Sequence, residues 1–274
     1  MQSAQRPFWV WPNDWADTGR RVYKVHPHLE KPNNENASVW RYMEFTKLVS
    51  LLDRNELFFA RDDKLGDPFE GSVPKINRNR RLERFSQLQT KNPELMSLTY
   101  GDFRRIEREC TAVNCWHMNA YESAAMWERY ANRGDVIAIR STFNLLKNSI
   151  VDNRYDFYLA KVTYLNYDKD AMPEFAVSQF YHKMKIFRYE REVRAVVQEL
   201  PRSATSWGRA MDSKNKRPFQ DGIYVKVNLE KLIRQVYIAP GTPAWLLQLV
   251  ESVITKYGLK KEVFPSRLDE KPIF

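Results

Sequence analysis

The segment Phe187-Arg188-Tyr189-Glu190-Arg191-Glu192-Val193-Arg194-Ala195-Val196-Val197 constrains the fold of this chain more than any other. Val193, Ala195 and Val197 alternate with residues of the opposite direction, the period of a strand with one face in a core. The other face then carries Glu190, Glu192 and Arg194 in a row. Two carboxylates and a guanidinium cannot be buried without partners, so that face must meet solvent, an ion-pair network or a polar cleft. A charged edge strand would give the same pattern, and other segments must decide between these readings.

Val39 to Met43, Glu56 to Arg61, Thr111 to Met118, Val136 to Arg140, Phe157 to Tyr164, Ile223 to Val227 and Gln235 to Ile238 read as further strands, with a short one at Arg21 to Val25. Thr46 is an N-cap candidate for a helix whose stripe is Leu48, Val49, Leu51 and Leu52. Further helices are expected over Ile76 to Glu109, broken at Asn92-Pro93, and from Ser123 to Asn132-Arg133-Gly134. Three more follow at Phe143 to Ile150, Phe175 to Ile186 and Ala244 to Tyr257. Without strict βαβ alternation this order predicts an α+β fold, a split and mainly antiparallel sheet with flanking helices. The expected division is a segment 1–37, rich in tryptophan (Trp9, Trp11, Trp15) and docked on the body, and one domain over 38–274. That domain has a core at 38–200 and a β-β-α extension at 222–274. The loop-like stretch Pro201 to Gly222 is the alternative boundary.

A hydrophobic content of 43% suffices for one sizeable core, and no apolar run is long enough to cross a bilayer. Met1 to Arg6 lacks the pattern of a signal peptide, and two cysteines make no disulfide framework, so a cytoplasmic protein without a membrane partner is expected. Cys110, Cys115 and His117 offer three metal ligands where structural zinc takes four, and no metal is expected. Phosphate-loop, dinucleotide-loop and nucleophile-elbow motifs are missing from the sequence. The net charge of +10 gathers at two places. One holds Lys75, Arg78, Arg80, Arg81 and Arg84. The other, within Arg202 to Arg217, holds Lys214, Lys216 and Arg217. Both are candidate nucleic-acid contacts, or else a solvated helix face and a loop.

Four segments together resemble a widespread bacterial family of unknown function. They are Trp40-Arg41-Tyr42-Met43; Glu56 to Arg61 leading to Asp67-Pro68-Phe69-Glu70-Gly71; Met126-Trp127-Glu128-Arg129-Tyr130; and Tyr189-Glu190-Arg191-Glu192-Val193-Arg194. The resemblance covers roughly residues 38–200. This arrangement is in turn similar to the ADP-ribosyltransferase superfamily. There a first strand supplies a His or Arg to the ribose or phosphates of NAD, and a late strand begins with the catalytic glutamate. The resemblance implies Glu192, Glu190 and Arg41 as catalytic residues, with Glu192 the essential carboxylate and Glu190 assisting. It implies Arg41, Tyr42, Arg61, Asp67, Trp127, Tyr130 and Arg194 as contacts to NAD, which is consumed as substrate. The chain departs from the superfamily in lacking the His of one subclass and the Ser-Thr-Ser strand of the other.

The function so implied is NAD-dependent ADP-ribosyl transfer to a macromolecule, nucleic acid or protein. A bacterial toxin or antiviral defence effector held in check by a neutralising partner would fit it. Two readings from other classes stand beside it. One is a metal-dependent nuclease using Asp67, Glu70, Glu190 and Glu192, with Arg194 or Lys183 at the scissile phosphate. The other is a non-enzymatic nucleic-acid-binding module acting through its basic segments. Convergence of Arg41, Trp127, Tyr130, Glu190, Glu192 and Arg194 on one cleft is expected, with Asp67 and Glu70 near its rim.

Overall fold

A computed structural model describes residues 23–131, 135–201, 219–271 and 273. The tryptophans of the N-terminal segment and Lys214, Lys216 and Arg217 of the second basic segment lie outside the described residues. Among those described, ten strands form one mainly antiparallel sheet, with helices packed on it.

Its longest members follow from alternation. In β2 (Ser38–Glu44), Val39 and Met43 enter the main core while Trp40 and Tyr42 pack on the opposite face. In β4 (Thr111–Met118), Ala112 and Trp116 enter that core, and in β9 (Glu192–Gln198) so do Val193, Ala195 and Val197. Strand β9 lies between β4 and β6 (Phe157–Lys161), and β2 lies between β4 and β5 (Val136–Thr142). Beyond β5 come β11 (Gln235–Ile238) and β12 (Val263–Phe264), so the C-terminal segment is part of the same sheet. At the other edge β1 (Tyr23–Lys24) pairs with β6, in parallel.

The sheet divides along β4. One edge of that strand meets β3 (Glu56–Arg61) at Ala112 and Val113, and meets β2 only at His117 and Met118. Asn114 to Trp116 face the gap between, and side chains close it: Asn114 Nδ2 donates to the Phe58 carbonyl and Arg41 Nη1 to the Cys115 carbonyl. Strand β10 (Gly222–Lys226) continues the sheet beyond β3.

The main core covers one face under α1 (Phe45–Arg54), α5 (Phe143–Ser149), α6 (Leu229–Leu232) and α7 (Ala244–Lys256). Each fully buried Leu or Phe there contributes about 1.5–3 kcal/mol. Helix α1 starts one residue before Thr46 and takes no side-chain cap, and it ends where Asn55 turns left-handed and donates its N–H to Leu51. The long helical stretch breaks as expected into α2 (Lys75–Lys91) and α3 (Tyr100–Glu109), the second opened by a reciprocal Thr99–Asp102 cap.

Two expectations fail around residue 180. The helix over Phe175 to Ile186 is replaced by a 3₁₀ turn (Ser178–Tyr181) and β8 (His182–Met184), which pairs in parallel with β7 (Thr163–Leu165). Val177 to Lys183 are all buried, so no polar face exists for an amphipathic helix to show. The strand expected from Phe187 begins only at Glu192. Lys185–Glu190 is a 3₁₀ turn, and Arg191, at φ 42°, swings the chain into β9. Glu190 therefore comes off a turn, not off the strand.

Candidate functional site

The face opposite the main core carries two apolar patches with a polar cluster between them. One patch holds Trp40, Tyr42, Met126, Trp127 and Tyr237, and the other Tyr158, Phe180, Tyr181 and Val196. On β4 and β9 between them, His117 lies opposite Glu192 and Cys115 opposite Arg194. Parity puts Glu192 and Arg194 on this face, because their neighbours Val193 and Ala195 point into the core.

Arg194 is fully buried and makes four hydrogen bonds, with a fifth close contact to a carboxylate oxygen. Nη1 and Nη2 hold the two oxygens of Glu70 at 2.8 and 2.7 Å, Nη1 also reaches the Phe180 carbonyl at 3.0 Å, and Nε and Nη2 meet Glu192 Oε2 at 2.7 and 2.6 Å. Glu70 is thus the centre of the cluster and not its rim. Burial pushes its carboxyl up, but Arg194 and Lys183 outweigh this and hold it at about 2. Arg194 is thus committed to Glu70, Glu192 and the Phe180 carbonyl, whereas an NAD contact was expected of it.

Lys183, from β8, is surrounded by carboxylates: Glu190 at 2.6 Å, Glu70 at 3.0 Å, Asp67 at 3.7 Å and Glu192 at 3.8 Å. Burial opposes its charge, yet Glu192 and Glu70 keep it above its ordinary value. Glu190 gives its other oxygen to Arg129 of α4 (Ala124–Ala131), at 2.6 Å, and Arg129 also reaches the Tyr189 hydroxyl at 2.8 Å. Four carboxylates (Asp67, Glu70, Glu190, Glu192) therefore face three cations (Lys183, Arg194, Arg129).

Glu192 differs from Glu70 and Glu190. Its Oε2 takes every contact to Arg194 and Lys183, while Oε1 makes no hydrogen bond to the described residues. Burial raises its pKa, against the pull of Arg194 and Lys183. Its backbone N–H donates to the Tyr164 hydroxyl of β7.

Of the other expected residues, Tyr42 packs edge-on against Trp127 at 4.8 Å and lies 6.3 Å from the Tyr130 ring. Tyr42 is also 6.2 Å from His117, so the aromatic group abuts the cluster. Arg41 has the core-facing parity of Val39 and Met43, unlike Trp40 and Tyr42; it sits in the gap between β2 and β4, 6.0 Å from the Trp116 ring and bonded to the carbonyl of the residue opposite Arg194. Among the described residues it pairs with no carboxylate, neither Glu70 nor Glu192, and burial lowers its pKa.

Arg61 is not brought to the site. It pairs with Ala112, five residues along β4 from His117 and so about 16 Å away, and it is held by Asp63 and the Phe219 carbonyl. The first basic segment is also reassigned in part. Arg81 is buried and bonded to Gln179, which removes it as a nucleic-acid contact, because α2 turns that residue inward. Lys75 pairs with Asp168 and Arg84 with Glu174, while Arg78 and Arg80 are exposed. His117, weighed only as a metal ligand, and Arg129 and Tyr164, not weighed at all, are parts of the site. Arg129 lies within Met126 to Tyr130 and had a signal there, whereas Tyr164 reaches Glu192 only through the two-stranded sheet. Comparison with models of protein families, with curated proteins and with solved structures finds no match for this chain.

Proposed function

We propose that this protein is an NAD-consuming transferase of the ADP-ribosyltransferase type, acting on a macromolecular acceptor. The observation that carries the reading is Glu192 Oε1. Every other carboxylate oxygen of Glu70 and Glu190 is held by a cation, and this one is not. A charge fixed by Arg194 and Lys183 on one oxygen, with the second oxygen available, suits a group that must face developing positive charge.

In the proposed reaction the bond between ribose C1′ and the nicotinamide nitrogen breaks, and its electron pair leaves with nicotinamide. Glu192 stabilises the oxocarbenium-like ribose. The acceptor's nucleophile bonds to C1′, and its proton passes to Glu192, whose raised pKa favours uptake. Arg41, with donors beyond the single Cys115 carbonyl, is the cation for the pyrophosphate. Tyr42, Trp127 and Tyr130 supply aromatic surface for the nicotinamide ring. Glu190, engaged on both oxygens, orients Lys183 and Arg129 and is not free to act as a base.

The nuclease reading requires Asp67, Glu70, Glu190 and Glu192 to converge on a divalent ion. They do converge, but on the ammonium of Lys183. Among the described residues no group of His, Cys, Asp or Glu is arranged to hold a metal.

The test is nicotinamide release from NAD, together with transfer of labelled ADP-ribose to RNA, DNA or protein. Glu192→Gln should lower either rate by about 10²–10³-fold with the melting temperature changed by only a few degrees. Wild-type protein that neither cleaves NAD nor is thermally shifted by it would remove the reading.

A further inference from the structure

His117 holds a hydrogen-bonding group that the proposed chemistry leaves unused. Its Nδ1 lies 2.6 Å from the Glu190 carbonyl. A carbonyl only accepts, so Nδ1 carries the proton and Nε2 is a bare acceptor. Nε2 is buried and has no hydrogen-bond partner among the described residues. Burial lowers the pKa of this imidazole, so Nε2 stays unprotonated near neutral pH. A buried acceptor without a donor is a standing cost of folding unless a ligand or a water supplies one.

Its position selects the ligand group. His117 is directly opposite Glu192 across β4 and β9, a cross-strand separation of about 5 Å. On its other side stands the Tyr42 ring, with Trp127 and Tyr130 beyond. Resting on the transferase reading, a nicotinamide ring between these aromatics and Glu192 has its carboxamide next but one to the nitrogen whose bond breaks. The donor of that carboxamide then falls within a few ångströms of Glu192, where Nε2 is.

We infer that Nε2 of His117 accepts a hydrogen bond from the nicotinamide carboxamide, so that the site takes the amide dinucleotide and rejects its acid counterpart. An amide N–H completes the acceptor, whereas a carboxylate sets lone pair against lone pair and leaves both groups desolvated and unpaired. Arg129 spans Tyr189 and Glu190 on the same face, and its side chain, 42% exposed, is the outermost link of the cluster.

The experiment is calorimetric binding of NAD and of nicotinic acid adenine dinucleotide to wild type, His117→Asn and His117→Gln. The asparagine amide reproduces the Nδ1 donor to Glu190 and deletes the Nε2 acceptor. The glutamine carbonyl reaches the Nε2 position. Wild type should prefer NAD by about 10–100-fold. His117→Asn should lose at least tenfold in NAD affinity and most of the preference, and His117→Gln should keep both better. Unchanged NAD affinity in His117→Asn, or equal binding of the two dinucleotides by wild type, overturns the inference and assigns a buried water to Nε2. Wild type that binds neither dinucleotide defeats the transferase reading itself. Melting curves of the variants separate binding loss from unfolding.

Discussion

Arg194→Lys preserves the charge at the centre of the cluster and removes the shape that uses it. The guanidinium engages five acceptor contacts at 2.6–3.0 Å, two of them a planar fork on Glu70. An ammonium has three donors converging on one point. At least one of the four acceptor atoms on Glu70, Glu192 and Phe180 is then left unbonded where Arg194 is 0% exposed. A buried unsatisfied group costs about 1–3 kcal/mol, and a broken buried ion pair about 3–5 kcal/mol. The two routes bracket a loss of about 1–5 kcal/mol, or roughly 2–20 °C in melting temperature for a chain of this size.

Acid provides an internal control. Glu70 is held at about 2 in the folded protein against an ordinary 4.5. Because the folded value is depressed, its contribution is present in full above about pH 4.5 and disappears as pH falls towards 2. The shift corresponds to about 3 kcal/mol. Urea denaturation of wild type and Arg194→Lys between pH 7 and pH 2 should show the largest gap at neutral pH, narrowing below about pH 4.5 as Glu70 protonates first in the unfolded chain and, towards pH 2, in the folded one. A gap below about 1 kcal/mol at pH 7, or one that ignores pH, would refute Arg194 as the hub of the cluster.

Arg191 adopts a left-handed conformation at φ 42°, which costs a non-glycine residue about 1–2 kcal/mol. Arg191→Gly should leave stability within about 1 kcal/mol of wild type or raise it, whereas Arg191→Ile should lower it by a similar amount or more; chemical denaturation measures both. At Gly222 an added Cβ would lie 2.2 Å from the Phe59 carbonyl and 2.6 Å from the Phe58 ring. Gly222→Ala should therefore displace β10 from β3 at a cost above about 2 kcal/mol, read as a lowered melting temperature, with amide-exchange protection lost first in β10.

The strands that alternate cleanly could be read from the sequence. Gln235 to Ile238 keeps its predicted bounds because alternate residues face opposite packed surfaces. Val39 to Met43 is likewise found, one residue longer at each end, because its two faces both meet apolar groups. The stretch from Phe175 to Tyr189 was not legible, because its identity depends on what surrounds it. Val177 to Lys183 is buried throughout, and the lysine in that run is satisfied by residues from Asp67 to Glu192 that no local pattern reveals. Arg191 hides the strand start for a related reason. A left-handed arginine gives no signal of the kind a glycine would. The convergence of Glu192 and Arg194 follows from period two alone, but that of Glu190 does not. It reaches the cluster by a turn, with its carbonyl on His117 and its carboxylate on Lys183 and Arg129.

Stability and chemistry make opposite demands on this cluster, and the distribution of hydrogen bonds shows how they are divided. Glu70 and Glu190 have both oxygens engaged, so they fix Arg194, Lys183 and Arg129 in place and offer nothing to a ligand. Arg194 is engaged in the same way. Asp67 Oδ2 is left without a hydrogen bond, 3.7 Å from Lys183, and beside it the incomplete groups are Glu192 Oε1, Nε2 of His117 and the remaining donors of Arg41. These last three come from three adjacent strands, β9, β4 and β2, and the last two of these are parted by the gap in the sheet. A purely structural ion-pair network would gain by closing these valences, since an incomplete polar network is worse than a complete one. Their grouping on neighbouring strands, around a framework of engaged charges, is the arrangement the proposed transferase needs, in which the substrate would supply the missing partners.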